Sequence, residues 1–393
     1  MWKRFAAVAA LFSCLCFPPP ALADGGPAAR PDVPPAQTAE RDETAEAAER
    51  CAPWFPIKQG WLGGDAAWSV NLPEGRVLWL FGDTFIGRAD VEDRRRAAFI
   101  SNSIALSVCR GGAFYLTYYW GGRRGRPAPV FVPPEAKKTK HSVHYWPLDA
   151  FTHNGALYVF LSRVRTIDPD SPLGFTVEGV DLAQIENPEL PPERWRITYR
   201  KVLHGRAALP GAAVLKRKHH VLLYTPLTRG ANSKHSVALA RLPYGGLDAP
   251  GEHLQFLARD GVWRAGFDAR AARRIMARGA TELSVQETED GRFMAVMSEA
   301  DFPADRIVLR TAPAPEGPWS EDVAVAVIPE RMTARGERRM HVFCYAAKAW
   351  EPASRITTLM VTYVCNSTDT ELLMEDMSLY RPRTRRIPLP EGL

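Results

Sequence analysis

The chemistry-bearing feature of this sequence is a set of acidic residues at matched distances from tight turns. In "GGDAAWSVNLPEGRVLWLFGDTF", Gly63 to Phe85, Asp65 lies nine residues before Glu74 and Asp83 lies nine residues after it. A three-residue loop at Pro73-Glu74-Gly75 pairs Leu72 with Arg76, and the same register carries Asp65 opposite Asp83 at the open end of the hairpin. Like charges facing each other across a hairpin destabilise it, so an uncompensated pair argues for a use. Farther along, an Asp290-Gly291 turn pairs Glu289 with Arg292 and sets Glu282 opposite Glu299, a second carboxylate pair at the same height. Acidic groups meeting at one mouth raise one another's pKa, which divides a pair into proton donor and base. Taken singly, each also reads as a loop cap that accepts exposed backbone N–H groups.

The elements that must position these residues are strands. Helix periodicity is almost absent after the first 50 residues; short apolar strands alternate with polar Gly or Asn turns. Five units follow one another at about 60-residue spacing. They begin at "DAAWSVNL", "WPLDAFT", "GAAVL", "TELSVQE" and "HVFCYAAKAW", and the last is completed by "RITTLMVTYVCN" and "ELLMEDMSLY". Such spacing predicts an all-β, five-bladed β-propeller, with a long two-sheet sandwich as the alternative. The innermost strand of each blade then runs along a central channel, and long connections such as "GRADVEDRRRAAF" become loops on one face.

Composition bounds the rest. "MWKR", the apolar run "FAAVAALFSCLCF" and the small residues "ALA" read as a cleaved secretory signal over residues 1–23, the run being shorter than the roughly 20 apolar residues a bilayer span requires. Cys14 in "LFSC" is a weaker lipoprotein signal, because bulky Phe12 stands where small residues are usual. Residues 24–50 are rich in Ala, Pro, Glu and Arg and read as a disordered linker, which leaves 51–393 as the propeller. The expected location is secreted or periplasmic, without stable membrane insertion and as a monomer. Four cysteines remain, and no CxxC occurs. The fifth hairpin register places Cys344 against Cys365, leaving Cys51 to pair with Cys109. The net charge of +6 is spread over separated clusters, "RRR" at Arg94 to Arg96, "KRKHH" and "RPRTRR", which read as solvated turns and match no nucleic-acid-binding module. GxSxG, HExxH and P-loop motifs are absent, and the nine His are dispersed, so no metal ligand set is expected; a calcium ion in the channel would be structural or orienting.

"GWLGGDAAWSVNLPEGRVLWLFGDTFIG", "SNSIA", "ELSV", "LRTAPAPEGPWS", "YAAKAW" and "VTYVCN" together resemble an exported five-bladed propeller family long catalogued as a domain of unknown function, some of whose members are endo-D-arabinanases. The resemblance implies a funnel that binds a furanose-containing polysaccharide and draws its catalytic acids from the first blade, here Asp65 and Asp83. It departs after "AKA", where the family often carries His and this chain has Trp350. Glycoside hydrolysis needs a protonated carboxyl at the leaving oxygen and an ionised one on the other face of the sugar. Asp65 and Asp83 are candidates for that pair, with Glu282 as a third carboxylate; if the hairpin neighbours are too close to straddle a substrate, Asp83 tunes Asp65 and Glu282 is the acid. Asn102 could hold a sugar hydroxyl or form a turn; Tyr145 and Trp146 could stack on a ring or fill the core. Asp149 reads as structural or catalytic, Glu299 as the partner of Glu282, and Lys348 as a group that orients or neutralises the carboxylates. The competing reading is a carbohydrate-binding propeller of the cell envelope without turnover, which Trp350 favours.

Overall fold

The computed structural model describes residues 51–88, 92–123, 125–137, 143–168, 174–228, 235–301, 303–350 and 358–389. The expected signal and linker, and the fifth hairpin's "EPAS" turn, lie outside the described residues. The described chain is all-β with two short helices, Pro250–His253 and Thr370–Glu375.

The described residues form seven antiparallel sheets: a small one of Trp61–Gly64, Thr84–Ile86 and Ala98–Ile100, a ribbon of Gly121–Arg123 and Arg126–Ala128, and five larger ones that follow one another in chain order. The first runs Trp68–Asn71, Arg76–Phe81, Ser103–Arg110, Ala113–Tyr119, and the second runs Val143–His153, Ala156–Thr166, Phe175–Ile185, Ile197–His204. The third begins Ala213–Lys216, His220–Pro226, His235–Pro243 and is widened by Gln255–Leu257, Trp263–Ala265 and Arg274–Gly279. The fourth is Leu283–Glu287, Phe293–Ser298, Arg306–Ala312, Val323–Val327, and the fifth is Val342–Ala349, Thr358–Ser367, Arg383–Pro388. The first strand of each of the five larger sheets contributes side chains to one cavity of about 290 Å³.

Apolar side chains fill the gaps between successive sheets. One cluster joins the first three sheets and the fifth, a second the third and fourth, and a third the fourth and fifth. A fourth unites Trp79 and Phe81 of the first sheet with Trp350 and Met360 of the fifth-sheet region, so first and last sheets are also neighbours. Both disulfides pair as expected. Cys344 and Cys365 lie directly opposite each other with Cα atoms 4.0 Å apart, and Cys51 is tied to Cys109 across 5.7 Å.

Three expectations are corrected. "ELLMEDMSLY" is no strand: Asp369 caps a helix by accepting from the N–H groups of Glu371 and Leu372 at 3.0 and 3.2 Å, and Arg383–Pro388 takes the third place in the sheet. The fourth hairpin is displaced by one residue, because Thr288 N–H bonds Arg292 O at 2.8 Å and its hydroxyl reaches Asp290 Oδ1 at 2.5 Å, making a wider loop. Glu287 therefore pairs with Phe293, a register that places Ser298, and not Glu299, across from Glu282. Finally, "RRR" is not uniformly solvated. Arg94 is buried, its guanidinium donating to the carbonyls of Leu62, Leu373, Asp376 and Leu379, which staples the helix of the last sheet to the first hairpin.

Candidate active site

The first hairpin has the expected register. Trp68 pairs with Leu80, Asn71 with Val77, and Leu72 N–H bonds Arg76 O at 2.8 Å around the loop Pro73–Gly75. At its open end Asp65 N–H donates to Asp83 O at 2.9 Å, while Gly82 N–H, and not that of Asp83, donates to Asp65 O at 2.8 Å. The ladder is irregular at this point although the register is the same on both sides, Gly64 facing Thr84 and Trp68 facing Leu80. Ala66, next to Asp65, holds φ 56°, a left-handed value an alanine adopts only where its surroundings impose it.

Bulges set which residues of the second and fifth inner strands reach the channel. Side chains three apart normally point to opposite faces of a strand. The register of Val143–His153 slips between Pro147 and Ala150, so Trp146 and Asp149 both serve the channel side. Trp146 Nε1 donates to Asp83 Oδ1 at 2.8 Å, and Asp149 lines the cavity. Val342–Ala349 slips between Tyr345 and Lys348, with Ala346 at φ 57°. Tyr345 consequently donates its hydroxyl to Asp65 Oδ1 at 2.5 Å, while Lys348 Nζ lies 3.8 Å from the centre of the Trp68 ring.

The electrostatics follow from this enclosure. Asp65 is 1 % exposed, and burial pushes its pKa well above the ordinary aspartate value. The negative charges of Glu282 and Asp83 push it further, against the Tyr345 hydrogen bond and Lys348. Glu282, partly exposed, is also raised by burial; the Thr281 hydroxyl, donating at 2.7 Å, and Lys348 oppose this. Lys348 is 4 % exposed, and its Nζ has no hydrogen-bond partner among the described residues. Burial lowers its pKa to about 8, although Glu282, Asp65 and Asp149 favour its charged form. The phenol of Tyr380 is pushed upward by burial and then by the charges of Asp65 and Asp83.

The structure thus brings together Asp65, Asp83, Glu282, Trp146 and Lys348. Asp149 is close but committed, accepting from Ala150 N–H and Val214 N–H at 2.8 Å each and so tying the second sheet to the third. The other candidates take structural places. Asn102 is buried with its amide spent on the backbone of Phe131 and Tyr145, at 2.8 to 3.0 Å, leaving nothing for a sugar. Tyr145 is buried, donates to Asp181 at 2.5 Å and packs on Tyr199, so no ring can stack on it. Trp146 has Phe175 and His144 edge-on to its ring and acts through its indole N–H. Glu299 Oε1 accepts from the amides of Asp305 and Arg306 at 2.6 and 3.1 Å, closing a loop. Trp350 is buried, 5.8 Å from Trp79 between the first and last sheets. Tyr345, Tyr380 and Trp68 are members of the site that the sequence alone does not single out. Among the described residues no group of three or more His, Cys, Asp or Glu is placed to hold a metal ion.

The cavity occupies the turn end of the channel, from Trp68 to Asn71, Asp149 to Thr152, Lys216, Leu283 to Gln286, and Lys348 with Ala349. Asp149 lines this cavity, whereas Asp65 and Glu282, which precede the lining segments of their sheets in sequence, and Asp83, which follows Arg76–Phe81, do not.

The chain belongs to the family described as "Domain of unknown function (DUF5005)", whose model matches residues 51–388. Among solved structures it is similar to a Bacteroides ovatus ATCC 8483 protein described as "a putative hydrolase", at 19 % identity and TM-score 0.67, over 84 % of this chain and 86 % of that one. That likeness is one of fold. A GH43_1 enzyme from Xanthomonas citri complexed with xylose aligns at 14 % identity and TM-score 0.47, over 89 % and 94 % of the two chains. An exo-β-1,3-galactanase from Phanerochaete chrysosporium aligns at 11 % and 0.44, over 84 % and 61 %. No curated protein matches the sequence.

Proposed function

We propose that the protein is an exported five-bladed β-propeller that hydrolyses glycosidic bonds in a furanose-containing polysaccharide such as D-arabinan. The observation that carries this is the meeting of three carboxyl groups from two sheets, Asp65 and Asp83 with Glu282, beneath hydroxyl and indole donors from two more. Five sheets whose first strands share one cavity, with apolar packing between last and first, support the propeller. Two disulfides support an oxidising location. No helix of the described residues is long and apolar enough to cross a membrane.

The roles follow from environment. Glu282, raised in pKa and partly exposed, is the proton donor to the leaving oxygen. Asp83, holding the Trp146 N–H, is the ionised base or nucleophile. Asp65, enclosed and hydrogen-bonded to Tyr345, is the positioning carboxyl and feels the charges of both. Lys348 offsets the accumulated negative charge, and no step requires a metal. The competing reading, a binding propeller without turnover, is favoured by one observation: Asp65 and Asp83 are buried and neither lines the described cavity.

The test is incubation of the purified protein with D-arabinan and a panel of other envelope glycans, scoring new reducing ends. Hydrolysis of one member that is lost in Glu282→Gln while binding is retained supports the enzyme. Binding to one member with no product from any would replace it with the second reading.

A further inference from the structure

Two buried residues that line the 290 Å³ cavity at the turn end of the channel each keep a polar atom unspent. Gln286 is 7 % exposed, and its side-chain Oε1 has no hydrogen-bond partner among the described residues. The same holds for Lys348 Nζ. Buried polar atoms are normally hydrogen-bonded, so two unspent ones at a single cavity argue for a use. One contact brings them to the same corner: Ser284 Oγ accepts Ala349 N–H at 2.8 Å, joining the inner strands of the fourth and fifth sheets. Gln286 stands two residues beyond Ser284, on the same face of its strand, and Lys348 is the neighbour of Ala349.

What these atoms lack is hydrogen bonding rather than charge. Lys348 already feels Glu282, Asp65 and Asp149, so an added anion would meet those carboxylates. A hydroxylated ligand suits both atoms, because a hydroxyl accepts from an ammonium and donates to an amide oxygen. Trp68 adds an apolar wall. Its indole N–H donates to Ala212 O at 3.3 Å, which ties the first sheet to the third, and Lys348 Nζ covers one face of its ring. Asn71 and Lys216, also lining the cavity, are exposed and mark its mouth. The volume is many times the ~10–15 Å³ that one water needs, and it stands at the small end of ligand pockets.

We propose that this cavity is a second binding site, for one neutral sugar residue whose hydroxyls accept from Lys348 Nζ and donate to Gln286 Oε1. It is distinct from the carboxylate site, since Asp65, Asp83 and Glu282 do not line it. The choice of a sugar among hydroxylated ligands rests on the carbohydrate reading of the channel; the need for hydroxyls does not.

The experiment is a saturation-transfer NMR titration of the intact, disulfide-bonded protein with D-arabinose, D-galactose and cyclohexanol, with inorganic phosphate as competitor. One of the two sugars is expected to bind saturably, cyclohexanol about tenfold more weakly or not at all, and phosphate should not displace the sugar. Gln286→Leu, which removes the acceptor and keeps the bulk, should weaken that sugar by about tenfold. Asn71→Trp, at the mouth, should block it. Asp83→Asn should bind it unchanged, and because binding is the readout, a carboxylate site that fails to turn over glycan leaves this result standing. No saturable binding of either sugar, equal binding of cyclohexanol, displacement by phosphate, loss in Asp83→Asn, or indifference to Gln286→Leu would each overturn the proposal. Should Gln286→Leu disturb folding, Asn71→Trp decides, since that residue is exposed.

Discussion

In the first sheet both acidic residues of the inner hairpin stay at the channel, Asp65 under Tyr345 and Asp83 against Trp146. In the fourth sheet only Glu282 does, while Glu299 is taken up by the amides of Asp305 and Arg306. Loop width does not separate the two outcomes, because Leu72 N–H to Arg76 O and Thr288 N–H to Arg292 O each enclose three residues. Spacing does: Asp65 and Asp83 stand equally far from Glu74 and so face each other, whereas Glu282 is one residue nearer to Asp290 than Glu299 is, and Ser298 takes the place across from it. Ser298 has its own task, accepting Ala347 N–H of the fifth sheet at 3.2 Å. The same hairpin plan therefore yields a coupled pair in one sheet and a single acid plus a structural tie in another.

The comparison breaks most visibly through turnover. Glu282→Gln and Asp83→Asn should each lower kcat on the substrate glycan by about 10² to 10⁴-fold, whereas Glu299→Gln should leave it within about twofold. Comparable losses for Glu282 and Glu299 would mean that both hairpins serve chemistry. Next in size, Trp146→Phe removes the hydrogen bond on Asp83 and should reduce kcat by roughly tenfold or more, while an unchanged kcat would show that the bond has no part in turnover.

A smaller effect concerns stability. Because Asp65 holds its proton more tightly folded than unfolded, the folded state carries the extra proton. Its contribution is present below the ordinary aspartate range and is lost as pH rises through the raised folded value. Asp65→Asn, which can still accept the Tyr345 hydroxyl, should flatten the fall in Tm between about pH 4 and neutrality. An unchanged Tm profile would show that Asp65 is not coupled to its neighbours. Least of all, Glu299→Gln should cost about 0.5–1.5 kcal/mol in denaturant unfolding through its bonds to the Asp305 and Arg306 amides.

How far the sequence carries is itself explained by the two hairpins. Pro73-Glu74-Gly75 admits one loop length, so the Asp65–Asp83 register could be counted from it. Thr288 to Arg292 admits two, and the choice is made by the Thr288 hydroxyl bonding Asp290, a contact that counting cannot see. Irregularities of the ladder are equally silent. Ala66 and Ala346 occupy left-handed backbone where Gly or Asn would have signalled a break, so nothing announced that Tyr345 and Lys348 share a side. Tyr380 is brought to Asp65 from 315 residues away by a helix that reads as strand in "ELLMEDMSLY". Asn102 and Tyr145 depart from expectation for the opposite reason: they have sugar-binding chemistry but spend it on Asp181 and on backbone carbonyls.

The coupling between the two hairpins can be measured on the side chain that feels it most. Carboxyl carbon NMR titration of Asp65, in the wild type and in Glu282→Gln, reads that group alone. It should titrate well above the normal aspartate range and move downward once the charge on residue 282 is gone. An Asp65 that titrates like a free aspartate, or that ignores the substitution, would contradict a shared site.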